Sequence, residues 1–318
     1  MFIAVNFHYI GKEDGYPNGG IYPISEKRLA NQIDELGKVF SFVSQDDLLF
    51  AIEGKKMLPE KSCLITFDDG LRCQYEKALP ILDNKKISAL FFVSSLPLSE
   101  KKVCAAHKIH FLMAKWGVDT FLLNVDKELQ KNFSCNIDSF FNKETAQLAL
   151  QKYRYDNEKS AKLKFLLNVI LSQEAQLAII NNLFAGCCGS EKDFAENLYM
   201  SESQVKDLYQ RGLLGLHSHN HYSLGLLDDS NLEKDISINK KTIEDIVGGA
   251  VKAIAYPFGA DMDVGDRVVD TSKKLGLQLG FTMARQINQS LQKPMLLARF
   301  DTNDVAGGKK PLEYFKSL

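Results

Sequence analysis

The sequence predicts an α/β protein built on a distorted or incomplete (β/α) barrel, and three observations point to this class. Short runs rich in Val, Ile and Phe alternate with longer stretches of helical period, as in repeated βα units. About eight such runs occur, which is the strand number of a (β/α) barrel. The alternation is interrupted between residues 99 and 198, where the pattern is helical throughout.

The predicted strands share a high content of Val, Ile, Leu and Phe and a length too short for a buried helix. They are Phe2–Ile10, Val39–Val43, Cys63–Phe67, Ala89–Val93, Leu213–Leu216, Val251–Ala255, Leu279–Thr282 and Met295–Phe300.

Helices between these strands are predicted from their end signals. Ser25 is a candidate N-cap, and Ser201 with Gln204 forms a capping-box pattern before another helix. The stretch 231–247 has apolar residues at helical spacing, and Gly248 follows it as a terminating residue.

Residues 1–98 and 199–318 are therefore assigned to the barrel, and residues 99–198 to a helical insertion. The insertion either packs outside the barrel or forms a cap over a substrate cleft. We favour the cap, because the insertion follows a strand end, and barrel active sites form on that side.

Composition excludes several classes of function. With 45% hydrophobic residues and a net charge of −1, the chain has no basic excess or Lys/Arg-rich stretch of the kind that binds nucleic acid. No apolar run is long enough for a transmembrane helix. The first ten residues resemble a strand more than a signal peptide, which predicts a cytoplasmic protein with its six cysteines reduced.

The first polar motif is Asp68-Asp69-Gly70, at the end of a predicted strand. Adjacent carboxylates on a strand end point in different directions, so one can bind a cation while the other faces that cation's water. The alternative is an ordinary Asp-Asp-Gly turn that caps the next helix.

The second motif is His217-Ser-His-Asn-His221, which also follows a strand and holds three of the six histidines. Imidazoles are common ligands of borderline metals, so the cluster favours a metal site over solvated histidines. The third motif, Tyr256-Pro-Phe258-Gly259, holds a backbone amide between Pro and Gly. Such an amide can stabilise an oxyanion, although Pro-aromatic-Gly is also a common turn.

Together the three motifs resemble the ordered motifs of the polysaccharide deacetylase family (NodB-homology domain, carbohydrate esterase family 4). The resemblance covers about residues 1–95 and 200–300. It implies a barrel of the NodB type, with Asp69, His217 and His221 as metal ligands and Asp68 as general base. It also implies the Phe258 amide as oxyanion donor and a loop-supporting Ser218, with Tyr256 and Pro257 beside the substrate.

Two departures from the family pattern change these assignments. The family's Arg before the third motif is replaced by Ala255, and no histidine follows His221 to act as general acid. The segment around His8 resembles the N-terminal strand of the circularly permuted poly-N-acetylglucosamine deacetylase branch, which implies His8 as the acid. Arg299 is the candidate replacement for the missing Arg, as a partner of Asp68.

The resulting prediction is a metal-dependent amidohydrolase that releases acetate, or formate from a formyl group, from an acylated amino sugar, sugar nucleotide, lipid-linked sugar or glycan. Zinc is the expected metal, with Co²⁺, Ni²⁺ or Fe²⁺ as alternatives. Two rivals are a catalytically degenerate glycan-binding protein of the same fold and a 2-His-1-carboxylate iron oxygenase.

Overall fold

The structure is a computed structural model that describes residues 1–316. It divides into two compact units. The barrel unit comprises residues 1–12, 23–100 and the described residues from 196 onward, and the helical unit comprises residues 13–22 and 101–195.

Nine short strands of the described chain form one sheet, and every pair in it is parallel. They are β1 (Phe2–Phe7), β2 (Ser41–Phe42), β3 (Ser62–Phe67), β4 (Ala89–Val93), β5 (Leu214–Leu216), β6 (Ala253–Ala255), β7 (Leu279–Thr282), β8 (Leu297–Ala298) and β9 (Phe300–Asp301).

The order of the strands makes the sheet a nearly closed barrel. It runs β8-β7-β6-β5-β4-β3-β1-β9, and β2 pairs with the beginning of β3. Arg299 alone separates β8 from β9 along the chain, so the last strand pair returns the sheet to β1. The predicted α/β barrel is confirmed.

Each predicted strand region contains a strand, but some bounds differ. The first strand ends at Phe7 instead of Ile10, and the second is reduced to two residues. The last is divided at Arg299, where the carbonyl oxygen accepts a hydrogen bond from the Arg285 amide (3.1 Å). Arg299 also turns its side chain into the protein, where it is fully buried.

Thirteen α-helices accompany the strands in the described chain. They are α1 (Glu26–Gly37), α2 (Gln45–Ile52), α3 (Leu79–Lys85), α4 (Leu96–Glu100), α5 (Ala105–Phe133), α6 (Lys143–Lys152), α7 (Glu158–Phe165), α8 (Gln173–Cys188), α9 (Glu191–Leu198), α10 (Glu202–Gln210), α11 (Asp229–Val247), α12 (Asp266–Lys274) and α13 (Glu313–Lys316).

Helix ends follow the predicted signals. Ser25 caps α1 by accepting from the Arg28 amide, and Ser201 forms a capping box with Gln204 at the start of α10. Gly248 ends α11 in the left-handed conformation that glycine adopts without steric cost. Within residues 1–316, none of the helices combines the length and the apolar character that crossing a membrane requires.

The alternation of side chains along β1 and β3 orients the polar residues at their ends. Ile3, Val5 and Phe7 belong to one hydrophobic cluster, whereas Phe2 and Ala4 belong to another that contains Leu64 of β3. By this period of two, Asn6 follows Phe2 and Ala4, and Thr66 and Asp68 follow Leu64. Three polar residues therefore lie at the carboxyl-terminal end of that second face.

Candidate metal centre and active site

The three predicted motifs lie at one end of the barrel unit. Asp68 follows β3, His217 follows β5 and Tyr256 follows β6. Because these strands are parallel, their carboxyl ends meet at the same edge of the sheet, where active sites of βα barrels form.

Asp69, His217 and His221 converge in a way that fits a metal ion. One ligand atom from each lies within 4.8 Å of the other two. Oδ1 of Asp69 is 3.1 Å from Nε2 of His221 and 3.3 Å from Nε2 of His217. One carboxylate and two imidazoles are a donor set that zinc and similar divalent cations accept, with coordination positions left for water or substrate.

A hydrogen bond sets the tautomer of His217. Its Nδ1 lies 2.8 Å from the carbonyl oxygen of Ala255, which can only accept, so Nδ1 carries the proton. Nε2 is the nitrogen that remains to bind a cation, and it faces Asp69. This is the usual arrangement of a metal-binding histidine, and it supports the fit of a cation between these side chains.

The backbone of the site is held in a conformation that costs free energy. Four non-glycine residues, Asp69, Ser218, His221 and Phe258, have φ values of 82°, 61°, 59° and 61°. Such left-handed residues are concentrated at functional sites, where the surrounding structure has to hold them. The Ser218 hydroxyl does part of this by accepting a hydrogen bond from the His221 amide (3.0 Å).

Asp235 holds the histidine loop from α11, and sequence reasoning missed it. Its carboxylate accepts from the amides of His219 (2.8 Å) and Asn220 (3.1 Å) and from the Asn220 side chain (2.9 Å). A signal existed, because Asp235 lies on the same helical face as Leu232 and is itself buried. A carboxylate within an apolar stripe needs donors.

His219 lies in the same loop but makes its contacts elsewhere, away from the Asp69, His217 and His221 group. Its Nδ1 is 2.8 Å from the Ser95 hydroxyl, and its Nε2 is 3.4 Å from a carboxylate oxygen of Glu100. These contacts give His219 a structural role in the loop.

Asp68 is bound by a buried arginine. Two nitrogens of Arg299 donate to the two carboxylate oxygens, both at 2.7 Å, and Asn6 donates to one of them at 2.9 Å. Arg299 is fully buried and also donates to the Thr66 hydroxyl (3.2 Å). The structure thus brings together Asp68 and the arginine proposed as its partner.

The surroundings of Asp68 keep it ionised. Burial raises the pKa of Asp68, but the attraction of Arg299 and His217 and the hydrogen bonds from Arg299 outweigh it. The charge of His8 acts in the same direction, so the pKa of Asp68 lies below its ordinary value. A buried carboxylate that is ionised at neutral pH can accept a proton.

His8 lies just beyond the end of β1, the strand that pairs with β3 along its whole length. It is half-buried, and its backbone carbonyl accepts a hydrogen bond from Gln74 (3.0 Å). Because β1 and β3 are parallel and Phe7 pairs with Phe67, His8 lies at the same end of the barrel as the carboxylate pair.

The third motif contributes backbone and one ring, but not the tyrosine. Tyr256 is fully buried, and its hydroxyl donates to the Met295 carbonyl (3.1 Å). The reason is the strand alternation, since Ile254 and Tyr256 share one face of β6, whereas Ala253 and Ala255 share the other. The structure therefore does not bring the Tyr256 side chain to the site, contrary to the predicted substrate contact.

Pro257 is buried, and the Phe258 ring lies directly against the ring of His221. The ring centroids of Phe258 and His221 are 5.2 Å apart. Gly259 follows with a φ of 64°, and a Cβ there would lie 2.7 Å from the Met283 amide nitrogen. Glycine is thus required for the turn that brings Phe258 to the site.

The sequence model of the family described as polysaccharide deacetylase matches residues 55–109 and 182–280. The chain belongs to the polysaccharide deacetylase family. The matched ranges contain Asp68, Asp69, His217, His221 and Phe258, whereas His8 and Arg299 lie outside them. The predicted family is confirmed, and it supports an enzyme that acts on carbohydrate.

Solved structures show the same fold over most of this family member. A de-N-acetylase from Aggregatibacter actinomycetemcomitans is 15% identical, with a TM-score of 0.56 and coverage of 94% of both chains. IcaB from Ammonifex degensii is 18% identical, with a TM-score of 0.55 and coverage of 94% of this chain and 90% of its own.

The deacetylase PplD from Streptococcus pyogenes, solved in complex with acetate, is 13% identical with a TM-score of 0.55, and the alignment covers 94% of this chain and 91% of PplD. No curated protein matches the chain in sequence. At these identities the likenesses show the fold, which is consistent with the branch predicted from the His8 segment.

Proposed function

We propose that the chain is a metal-dependent N-deacetylase that hydrolyses the amide of an N-acetylated amino sugar or glycan. The observation that carries the proposal is that two adjacent carboxylates have different surroundings. Asp69 lies among imidazole nitrogens that fit a cation, and Asp68 beside it is ionised and fixed by Arg299.

Asp69, His217 and His221 would hold the cation. A divalent ion bound there, zinc first and Co²⁺, Ni²⁺ or Fe²⁺ as alternatives, would act as a Lewis acid on a water molecule and on the acyl carbonyl. The fixed tautomer of His217 supports this assignment, because its Nε2 is the nitrogen that faces the Asp69 carboxylate.

Asp68 is the general base in this proposal. It takes one proton from the attacking water as the water oxygen bonds to the acyl carbon. Its low pKa keeps it ionised before the reaction, and its bonds to Arg299 hold the carboxylate in one orientation.

The other two assignments concern the oxyanion and the leaving group. The backbone amide of Phe258, in a turn fixed by Pro257 and Gly259, would donate to the oxyanion, a contribution worth about 3 kcal/mol for one such donor. Protonated His8 would give its proton to the amine nitrogen as the carbon–nitrogen bond breaks, which leaves acetate and a free amine.

The substrate class follows from the family, which acts on carbohydrate. An N-acetylated sugar in a glycan, a sugar nucleotide or a lipid-linked sugar supplies the required amide, and a formyl group would react in the same way. That the protein acts in the cytoplasm remains a prediction from the sequence. The same holds for the prediction that the helical insertion forms a cap over a substrate cleft.

The direct test is the release of acetate and primary amine from N-acetylglucosamine oligomers and from a nucleotide-linked N-acetylglucosamine. We expect the zinc-loaded wild type to release both products in equal amounts, and Asp68→Asn to release them about 10²–10⁴-fold more slowly. Asp270→Asn removes an exposed carboxylate from α12 and is the matched control that keeps activity. Binding of the oligomers without release of either product would favour the glycan-binding rival.

His8→Ala tests the general acid separately. It should bind the metal as the wild type does but lose about 10²–10⁴-fold in kcat. Unchanged turnover in this variant would remove His8 from the mechanism while leaving the metal site intact.

A further inference from the structure

Gln74 is a fully buried glutamine that the proposed chemistry does not use. It begins the π-helical turn Gln74–Ala78, shortly after the strand end that carries Asp68. Its side-chain nitrogen donates to the carbonyl oxygen of Asp68 (2.5 Å) and to that of His8 (3.0 Å). One amide thus joins the backbone of two strand ends, β1 and β3.

The orientation of this amide follows from its three partners. The nitrogen has two hydrogens and faces two carbonyl oxygens, whereas Oε1 accepts from the Leu71 amide (3.2 Å). The flipped amide would place an oxygen against two oxygens and an NH₂ group against an N–H. All three polar functions are satisfied in only one of the two orientations.

The two hydrogen bonds of Gln74 lie just beyond the point where the backbone pairing of β1 and β3 ends. The last ladder bond between β1 and β3 joins the Asp68 amide to the Phe7 carbonyl (3.1 Å). Immediately afterwards the backbone leaves strand geometry, with a φ of 82° at Asp69. Gln74 therefore extends the pairing of the two strands by one step, through a side chain.

We infer that Gln74 is a positioning residue that fixes His8 relative to Asp68. This inference rests on the proposed function, in which these residues are general acid and general base. Proton transfer to and from one reacting amide requires both groups to be held within about 0.5 Å of their working positions. Asp68 has further partners in Arg299 and Asn6, so the larger effect falls on His8.

Two substitutions separate the bridge from simple packing. Gln74→Met keeps the length of the side chain and removes both donated hydrogen bonds, and we expect a fall of about 10–100-fold in kcat with little change in KM. Gln74→Glu should lose more, because a carboxylate faces two carbonyl oxygens. The matched control is Gln45→Met, a buried glutamine at the start of α2, with kcat expected to stay at the wild-type value.

A double-mutant cycle tests whether Gln74 acts through His8. In the His8→Ala background, Gln74→Met should cause little further loss of kcat, since the group it positions is gone. The full loss of the single variant, repeated on top of His8→Ala, would overturn the inference. Thermal unfolding and metal content establish that each variant is folded and loaded. If Gln74→Met does not fold, Gln74→Asn is used in its place. It keeps the amide, but its side chain is one methylene shorter.

A measurement without turnover keeps this inference distinct from the proposed function. The histidine ring signals of the metal-loaded protein are recorded by NMR, and the His8 signal is identified as the one absent from His8→Ala. Gln74→Met should shift or broaden the His8 signal and leave those of His107 and His110 in the helical unit unchanged. A shifted signal in a protein that releases no acetate would support the positioning and contradict the proposed function. An unshifted His8 signal would overturn the positioning.

Discussion

Asp68 and Asp69 are neighbours at the end of one strand, yet the protein surrounds them differently. Asp68 is bound by the guanidinium of Arg299 and the amide of Asn6, both supplied by the chain itself. Asp69 points to the imidazoles of His217 and His221, whose nitrogens are ligands as readily as donors. Arg299 is the cation that pairs with Asp68. Asp69 is instead arranged so that it fits a metal cation from solution.

This difference explains how two adjacent carboxylates can have separate roles. A carboxylate fixed by a permanent cation keeps its charge and orientation, so Asp68 can lie beside the proposed metal site without being one of its ligands. Asp69 instead lies with two imidazoles, and one carboxylate with two imidazoles is a donor set that catalytic zinc sites use. The comparison predicts that substitutions on the two sides fail in different ways.

Removing the charge of Asp68 should give the largest effect on activity and none on metal binding. We expect Asp68→Asn to lose about 10²–10⁴-fold in kcat, because the base is gone. Metal content, measured by elemental mass spectrometry, should equal that of the wild type. Loss of the metal in this variant would place Asp68 among the ligands and end the distinction between the two carboxylates.

Removing Arg299 should act on stability as well as on activity. Arg299→Met leaves the Asp68 carboxylate buried without its cation, and we expect the free energy of unfolding to fall by about 3–5 kcal/mol. Denaturant unfolding of the metal-free proteins measures this. The double variant Arg299→Met with Asp68→Asn should recover a large part of the loss, because no unpaired charge remains. Equal unfolding free energies for Arg299→Met and the wild type would show that the pair does not matter for stability.

Substitution of Asp235 should give the smallest of the three effects, and this effect should be on metal affinity. Asp235→Asn replaces one accepting oxygen by an NH₂ group that faces the loop amides, so the histidine loop is held less firmly. We expect metal affinity to fall about 10–100-fold, as measured by competition with a chelator. An unchanged affinity would mean that Ser218 and the strand end are sufficient to hold the loop.

The sequence predicted the parts of this site that lie directly after strands. Apolar runs that end in Asp68-Asp69-Gly70 or in His217 and His221 can be recognised, because the strand and the polar residues are adjacent in the chain. Asp235 and Gln74 were missed, since they lie on helical segments and reach the site only through packing.

Tyr256 and Arg299 show the limits of reasoning from motifs. The alternation along β6 was visible in the sequence and assigns Tyr256 to the face shared with Ile254, away from the predicted substrate. Arg299 could be named as a partner of Asp68 because the family arginine was missing. Its two hydrogen bonds depend on the break between β8 and β9, which no local pattern predicts.

The central claim is that His217 belongs to a metal site, and the metal content of the purified protein tests it most directly. Wild type, His217→Ala and His219→Ala are loaded with zinc, dialysed and analysed by elemental mass spectrometry. His219 is the matched control from the same loop, since its ring contacts Ser95 and Glu100. We predict about one zinc ion per chain in the wild type and in His219→Ala, and none in His217→Ala. A wild type without metal, or the same metal content in all three proteins, would contradict the account.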